Sequence, residues 1–366
     1  MESMVAAQRL AGRRVLVTGH TGFKGAWLAA WLAEHGAKVT GYALPAEPGE
    51  SLWRMLDDGR IRSVEADLND RAALDAAIAD CDPEVVFHLA AQALVRRSYR
   101  EPVATFASNV LGTVQLLDAL RAAPSFRAAV VVTSDKVYEN SGQIWGYRET
   151  DPMGGHDPYS ASKGATEIAA AAMRRSYFYG PGAPHPARIA CARAGNVIGG
   201  GDWAEDRLVP DIVRGCLGAT GCVVLRQPNA IRPWQHVLEA LDGYMRLAGA
   251  LLDGAPVDQG WNFGPSRDDE RPVIDVARAV VAGLGQGRIE IDPAAADLHE
   301  AHLLRIDATQ ARTALGWTPA LGFTETVAMT ADWYGGLHRG TPAAALCRAQ
   351  IASYEARRCA QTETPC

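Results

Sequence analysis

The residues with the most chemistry to offer fall in two short strings, Ser134-Asp135-Lys136 and Tyr159-Ser-Ala-Ser-Lys163. They supply a hydroxyl, a carboxyl, two ammonium groups and a phenol. On a helix, residues four apart share a face, so Lys163 is placed to stabilise a phenolate at Tyr159. A phenol titrates near pH ~10, and action as a base near neutrality requires a fall of roughly 3 units, about 4 kcal/mol. Lys163 and the ring of an oxidised nicotinamide are two positive charges able to supply it. The chemistry would be removal of a proton from an alcohol while hydride leaves the same carbon. A tyrosine packed over a surface lysine has the same spacing, but Tyr138 nearby has no lysine four residues on.

These strings need a scaffold that presents them together. Short β-branched runs predict strands at Arg13–Thr18, Ala37–Ala43, Ile61–Asp67, Glu84–His88, Ala128–Ser134 and Arg188–Arg193. Helical patterns cover Phe23–His35, Arg71–Ala79 and Pro102–Ala122. The alternation predicts an α/β fold: a doubly wound parallel sheet of the Rossmann type with a smaller C-terminal substrate-binding lobe. Residues 1–194 are expected to form the dinucleotide-binding part, with 233–264 returning to it. Residues 195–340 are expected to belong mostly to the substrate lobe, and 341–366 to a peripheral tail. Asp135 and Lys136 follow a predicted strand, at the edge of the sheet where such folds bind ligands.

Thr18-Gly-His-Thr-Gly-Phe-Lys-Gly25 links the first predicted strand to the first helix. Its three glycines permit a tight turn and let backbone amides approach a pyrophosphate. A plain strand-to-helix connection is the competing reading. Asp67 and Leu68, after the third strand, are placed to reach an adenine, although Asp67 reads equally well as a loop aspartate. The second strand ends Gly41-Tyr42-Ala43-Leu44, with neither an acid for a ribose hydroxyl nor an arginine for a 2'-phosphate. NAD is favoured over NADP.

Composition narrows the partners. The chain has 366 residues, 48% of them hydrophobic and 21% charged, and a formal charge of -6. That balance argues against a nucleic-acid partner, which leaves a basic footprint. No signal-like run opens the chain and no later run reaches the ~18 apolar residues of a membrane span, so the expectation is a cytoplasmic protein without membrane attachment. Seven scattered cysteines without a CxxC pair read as free thiols. His299-Glu-Ala-His302 spaces its histidines three apart, where HExxH needs four, so no metal is expected.

The glycine turn and the Tyr159/Lys163 pair match the TGxxGxxG and YxxxK motifs of the extended short-chain dehydrogenase/reductase family, which the chain resembles from about Arg13 to about Tyr334. Within it the chain looks most like the nucleotide-sugar 4,6-dehydratases of the CDP-glucose group. The matching strings are Gly19-His-Thr-Gly-Phe-Lys-Gly25, His88-Leu-Ala-Ala-Gln92, Thr133-Ser-Asp-Lys136 with Tyr138-Glu-Asn140, Asp157-Pro-Tyr-Ser-Ala-Ser-Lys163, Gly195 to Trp203, and Ile231-Arg-Pro-Trp-Gln-His236. Val137 and Ala161 depart from the pattern without touching a charged group.

The resemblance implies an NAD cofactor held by Gly19, Thr21, Gly22, Phe23, Lys24, Gly25, Asp67, Leu68, Leu89, Ala90, Ala91, Asn109, Tyr159 and Lys163. It implies a nucleoside-diphosphate hexose bound by Gln92, Ser134, Asn196, Arg207 and Arg232, with Arg188 and Arg193 as alternates. His88 itself reads as a core histidine. The implied reaction oxidises C4, eliminates water across C5 and C6, and returns the hydride to C6. Tyr159 is then the first base with Ser134 beside it, Asp135 the acid, and Lys136 the C5 base or an electrostatic support for the enolate. Related enzymes that act on dTDP-glucose carry glutamate at the Lys136 position. The resemblance further implies a homodimer formed through the helix after Tyr159 and the helix carrying Asn109. A nucleotide-sugar 4-epimerase, a dehydratase of another nucleotide hexose, and a dinucleotide-binding module without chemistry are the alternatives; the Tyr/Lys pair counts against the last.

Overall fold

Apolar runs four to seven residues long, flanked by turns, form central strands buried on both faces, as parallel sheets require, whereas the edge strand Arg62–Glu65 is largely exposed. The computed structural model describes residues 5–180, 182–292 and 304–363. Its strands are β1 (Arg14–Thr18), β2 (Lys38–Ala43), β3 (Arg62–Glu65), β4 (Val85–His88), β5 (Ala128–Val132), β6 (Arg188–Ala194), β7 (Asn196–Ile198), β8 (Cys222–Leu225), β9 (Ile231–His236), β10 (Gly260–Phe263), β11 (Glu270–Pro272) and β12 (Arg288–Ile291). Seven of them make one sheet in the order β10-β6-β5-β4-β1-β2-β3. Every neighbouring pair in it is parallel. The order reverses between β1 and β4, where Thr18 lies opposite His88, and a crevice opens at such a reversal beyond the strands' C-terminal ends.

Each face of the sheet carries its own core. One packs Trp27 and Trp31 of helix Phe23–Glu34 and Leu241 of helix Val237–Leu252 against Val15, Val17 and Val130. The other packs Leu74, Leu116, Leu117 and Phe126 against Leu16, Val86 and Val131. Outside the sheet, β11-β9-β7 and β12-β8 form two small sheets, with helices Leu208–Leu217 and Val273–Leu284 nearby in sequence.

The six expected strands of the first half are all present, with ends shifted by one or two residues. Pro102–Ala122 was expected as one helix and is interrupted: Pro102–Phe106 and Gly112–Leu120 are α-helical, and Ala107–Leu111 between them is a π-helical turn. Such a turn widens the helix locally and frequently marks a functional position. Pro102–Leu120 is also long and apolar enough to cross a membrane by length and composition, against expectation. Its Asn109, Thr113 and Leu116 are buried within the protein. Two short helices, Leu52–Leu56 and Val95–Arg100, were not anticipated. Nor was the role of the tail: helix Ala343–Glu363 buries Cys347, Ile351 and Tyr354, and the Tyr354 hydroxyl donates to Glu239 at 3.0 Å. Among the described residues, Cys81, Cys191, Cys216, Cys222 and Cys347 are free thiols.

Candidate active site

β5 delivers Thr133 and Ser134 to the crevice, and a 3₁₀ turn, Asp135–Val137, follows. Ser134 caps this turn, accepting from the Lys136 amide at 3.2 Å while its own hydroxyl donates to Asp135 Oδ1 at 2.9 Å. Opposite lies helix Pro158–Tyr177, started by Asp157, whose carboxylate accepts from the Ser160 amide at 3.0 Å, and by Pro158 in the first turn. Tyr159 and Lys163 therefore sit in the first two turns on one face, both buried. Ser98 accepts the Tyr159 amide at 3.1 Å, and the Ser134 hydroxyl lies beside the Tyr159 phenol and favours its ionised form.

Burial governs the charges. It pushes the Tyr159 phenol up to about 12, against the pull of Ser134 and of the Arg207 guanidinium. It pushes the Lys163 ammonium down to about 7, helped by the charge of Lys24. Lys163 Nζ donates to the Val132 carbonyl at 3.2 Å. Desolvation drives each group toward its neutral form, and the Arg207 guanidinium pulls the Tyr159 phenol the other way. An oxidised nicotinamide would add a further positive charge favouring the phenolate.

Asp135 is 3% exposed, and burial raises its carboxyl above the usual range despite Lys136, Ser134, Arg232 and Lys24 around it. Its Oδ2 is buried without a hydrogen-bond partner. A Cβ on Gly195 would stand 3.4 Å from that oxygen, so the glycine keeps one side of it clear. A carboxyl whose burial favours the protonated form, with one oxygen unengaged, is equipped to donate a proton. Lys136 is half-buried beside it.

The residues of the glycine turn fit a dinucleotide. Gly19 has φ +77°, and a Cβ there would lie 2.6 Å from the Ala90 amide nitrogen. A Cβ on Gly25 would lie 2.1 Å from the Gly19 carbonyl oxygen, so the turn closes only with glycine. Gly22 caps helix Phe23–Glu34, leaving the first amides of that helix to a pyrophosphate. The Leu89 amide donates to the Thr18 carbonyl and the Ala90 amide to the Thr18 hydroxyl, at 3.1 and 3.2 Å, and Ala91 follows half-buried. Thr21 donates to the Leu44 carbonyl at 2.9 Å, and Phe23 Cζ approaches Gly199. Lys24 lies among Arg207, Asp135 and Asp202, with its ammonium pushed down to about 8 by burial and by Arg207.

The remaining expected residues make local bonds as well. Gln92, expected to touch substrate, bonds within its loop: Oε1 accepts from Leu94 N at 2.6 Å, and Nε2 donates to Leu94 O and Thr105 Oγ1 at 3.0 Å each. Asp67 is exposed, and its Oδ1 accepts from both nitrogens of Asn69, so the carboxylate closes its own turn. Leu68 is buried against Gly112. Asn109, in the π-helical turn, donates to Ser162 Oγ at 2.8 Å and accepts from Gln92 N at 2.8 Å, which ties this helix to the one bearing Tyr159 and Lys163. His88 is a core histidine, bonded at Nδ1 to Thr18 and at Nε2 to Thr113.

Arg207 Nη1 donates to Asp202 at 3.0 Å, Arg232 is buried on β9 within reach of Asp135's charge, and Asn196 opens β7 half-buried. The alternates fall away. Arg193 is locked in a buried pair with Glu167, and Arg188 lies 3.4 Å above the Tyr179 ring. His299 to His302 lies outside the described residues. Sequence reasoning missed His20, whose ring bonds Ser63 at 2.7 Å and lies edge-on to Trp53 at 4.6 Å. It fills the space over Gly41, where a Cβ would come within 2.3 Å of the ring. A glycine inside β2 was the available signal for it.

Comparison with known proteins agrees with this geometry. The family model described as GDP-mannose 4,6 dehydratase matches residues 16–330. The chain is 45% identical over 346 residues to a CDP-glucose 4,6-dehydratase of Salmonella typhimurium, covering 94% of this chain and 96% of that one. It is 28% identical to a dTDP-glucose 4,6-dehydratase of Xanthomonas campestris, covering 87% and 92%. Among solved structures, a UDP-glucose 4-epimerase of Thermus thermophilus in complex with NAD superposes with a TM-score of 0.73 at 25% identity, covering 88% and 99%.

Proposed function

The chain belongs to the family described as GDP-mannose 4,6 dehydratase and is an NAD-dependent 4,6-dehydratase of a nucleoside-diphosphate hexose; we propose that its substrate is CDP-D-glucose and its product CDP-4-keto-6-deoxy-D-glucose. The base and the sugar rest on the 45% identity to the Salmonella enzyme. The observation that carries elimination, rather than simple epimerisation, is Asp135: a buried carboxyl with an unengaged oxygen beside the Tyr159 phenol.

The glycine turn and the Leu89–Ala91 segment would hold NAD, which would supply the acceptor and later the donor of one hydride. The protein's own groups move the protons. Tyr159 accepts the proton of the C4 hydroxyl, and Ser134, beside the same phenol, steadies that oxygen. The 4-ketone acidifies the hydrogen at C5. Lys136 receives that proton or supports the enolate by its charge, and Asp135 gives its proton to the departing C6 hydroxyl. Arg207, Arg232 and Asn196 hold the diphosphate, with guanidinium forks suited to its oxygens.

A homodimer accompanies this reading. Val103 (82% exposed), Leu111 (51%) and Ile168 (62%) leave an apolar surface on the helices carrying Asn109 and Lys163. Helices of this kind bury such a surface against a second copy. The cytoplasm is the compartment this reading assigns.

Turnover of CDP-, dTDP-, UDP- and GDP-glucose under one set of conditions tests the substrate. CDP-glucose is expected to be dehydrated with the highest kcat/KM; a preference for another base overturns that assignment.

A further inference from the structure

A buried polar network behind the reacting groups has no part in the roles above. Glu167 stands one helical turn beyond Lys163 on the same helix, and Arg193 lies on β6; their side chains are 3% and 2% exposed. Two bonds join them, Nε to Oε1 at 2.8 Å and Nη2 to Oε2 at 2.5 Å. Thr133 donates to the same Glu167 Oε1 at 2.6 Å. Arg193 Nη1 donates to the Tyr138 hydroxyl at 2.6 Å, which in turn donates to Asn262 Oδ1 at 2.7 Å.

The connections follow the chain in a telling order. Thr133 immediately precedes the segment Ser134–Val137 and Tyr138 immediately follows it, so both ends of the turn bearing Asp135 and Lys136 are tied to one ion pair. The carboxylate of that pair belongs to the helix bearing Tyr159 and Lys163. A buried ion pair is a poor source of stability, since desolvation offsets its attraction, whereas its bond directions fix geometry. Elimination needs such a fix: C5 and C6 must meet Asp135 and Lys136 while C4 faces Tyr159, and small misplacements are costly in rate.

We propose that Glu167, Arg193 and Tyr138 are positioning residues that set the Ser134–Lys136 turn against the Tyr159/Lys163 face, aligning the elimination groups with the oxidation groups on one sugar. The proposal rests on the dehydratase reading.

Tyr138→Phe in the NAD-loaded enzyme is the direct test, because it removes one hydroxyl and keeps the ring that stacks on Tyr147 at 5.1 Å. With CDP-glucose, the KM is expected to stay within about twofold and kcat to fall about tenfold or more, as for displacement of a proton-transfer group. Reduced nicotinamide is expected to build up during turnover, because C4 oxidation continues while elimination lags. Glu167→Gln is expected to show the same pattern more strongly; if it does not fold, Thr133→Val takes its place. Parent-like kcat in Tyr138→Phe overturns the proposal, and so does a fall in kcat without build-up of reduced nicotinamide. A parent enzyme that dehydrates no nucleotide hexose removes the reading beneath it instead, and the parent control makes the two failures distinguishable.

Discussion

Asp135→Asn separates chemistry from packing at the centre of the site. The amide has the shape of the carboxyl and still accepts the Ser134 hydroxyl bond of 2.9 Å, but it has no acidic proton to give. A positioned general acid contributes about 10²–10⁴ in rate, or roughly 3–5 kcal/mol of barrier, so kcat for dehydration is expected to fall by that factor. Stability should move the other way. Burial raises the Asp135 carboxyl in the folded protein, so folding is favoured by the protonated form, and that contribution fades as pH rises through the folded value. At pH ~7.5, above the ordinary carboxylate range, the parent bears the cost of keeping an ionisable carboxyl buried, in either protonation state, and the amide does not. The assay is steady-state dehydration of CDP-glucose alongside thermal melting at that pH. The reasoning fails if the variant keeps kcat within about threefold of the parent, far from the acid-catalysis range. It fails equally if the loss of rate comes with a markedly lower melting temperature, since the carboxylate would then be part of the packing.

Tyr159→Phe is expected to retain NAD and lose at least about 10³-fold in turnover, since the phenol is the first proton acceptor; rapid turnover would remove it from that role. Glu239, which accepts from the amides of Ala320 and Leu321, is pushed up to about 7, chiefly by burial. Its contribution to stability is full below the ordinary glutamate range and is lost as pH rises through about 7. Glu239→Gln should therefore melt higher than the parent at pH ~8 and gain less at pH ~5, and equal shifts at both would contradict this. Ile168→Glu is expected to give monomers in sedimentation velocity where the parent sediments as a dimer, because it places a charge in the apolar surface. An unchanged sedimentation coefficient would move the interface elsewhere.

Much of this was legible because the pattern was local. The glycine turn, the Asp157-Pro158 helix start and the period of buried strands each act over a few residues, and their structures follow the sequence closely. The interruption at Ala107–Leu111 was not legible, since it contains no proline or glycine to break the helix and its shape accompanies the tertiary bonds of Asn109 to Ser162 and Gln92. Gln92 and Asp67 show a related limit: each polar side chain after a strand also bonds within its own loop, which spacing does not reveal. Lys163 shows the limit of spacing arguments. Its place on the Tyr159 face was readable, whereas the direction of its charge shift depends on burial beside Lys24. The tail of the chain was misjudged because its alanine-rich composition hides one buried stripe, Cys347, Ile351 and Tyr354.

The claim on which everything turns is that hydride leaves C4 and comes back to C6 within one binding event. CDP-glucose carrying deuterium at C4, turned over in ordinary water, should give 4-keto-6-deoxy product with the deuterium at C6 and no net change in NAD. Product with deuterium restored to C4 and the C6 hydroxyl intact, or deuterium lost to solvent, would contradict it.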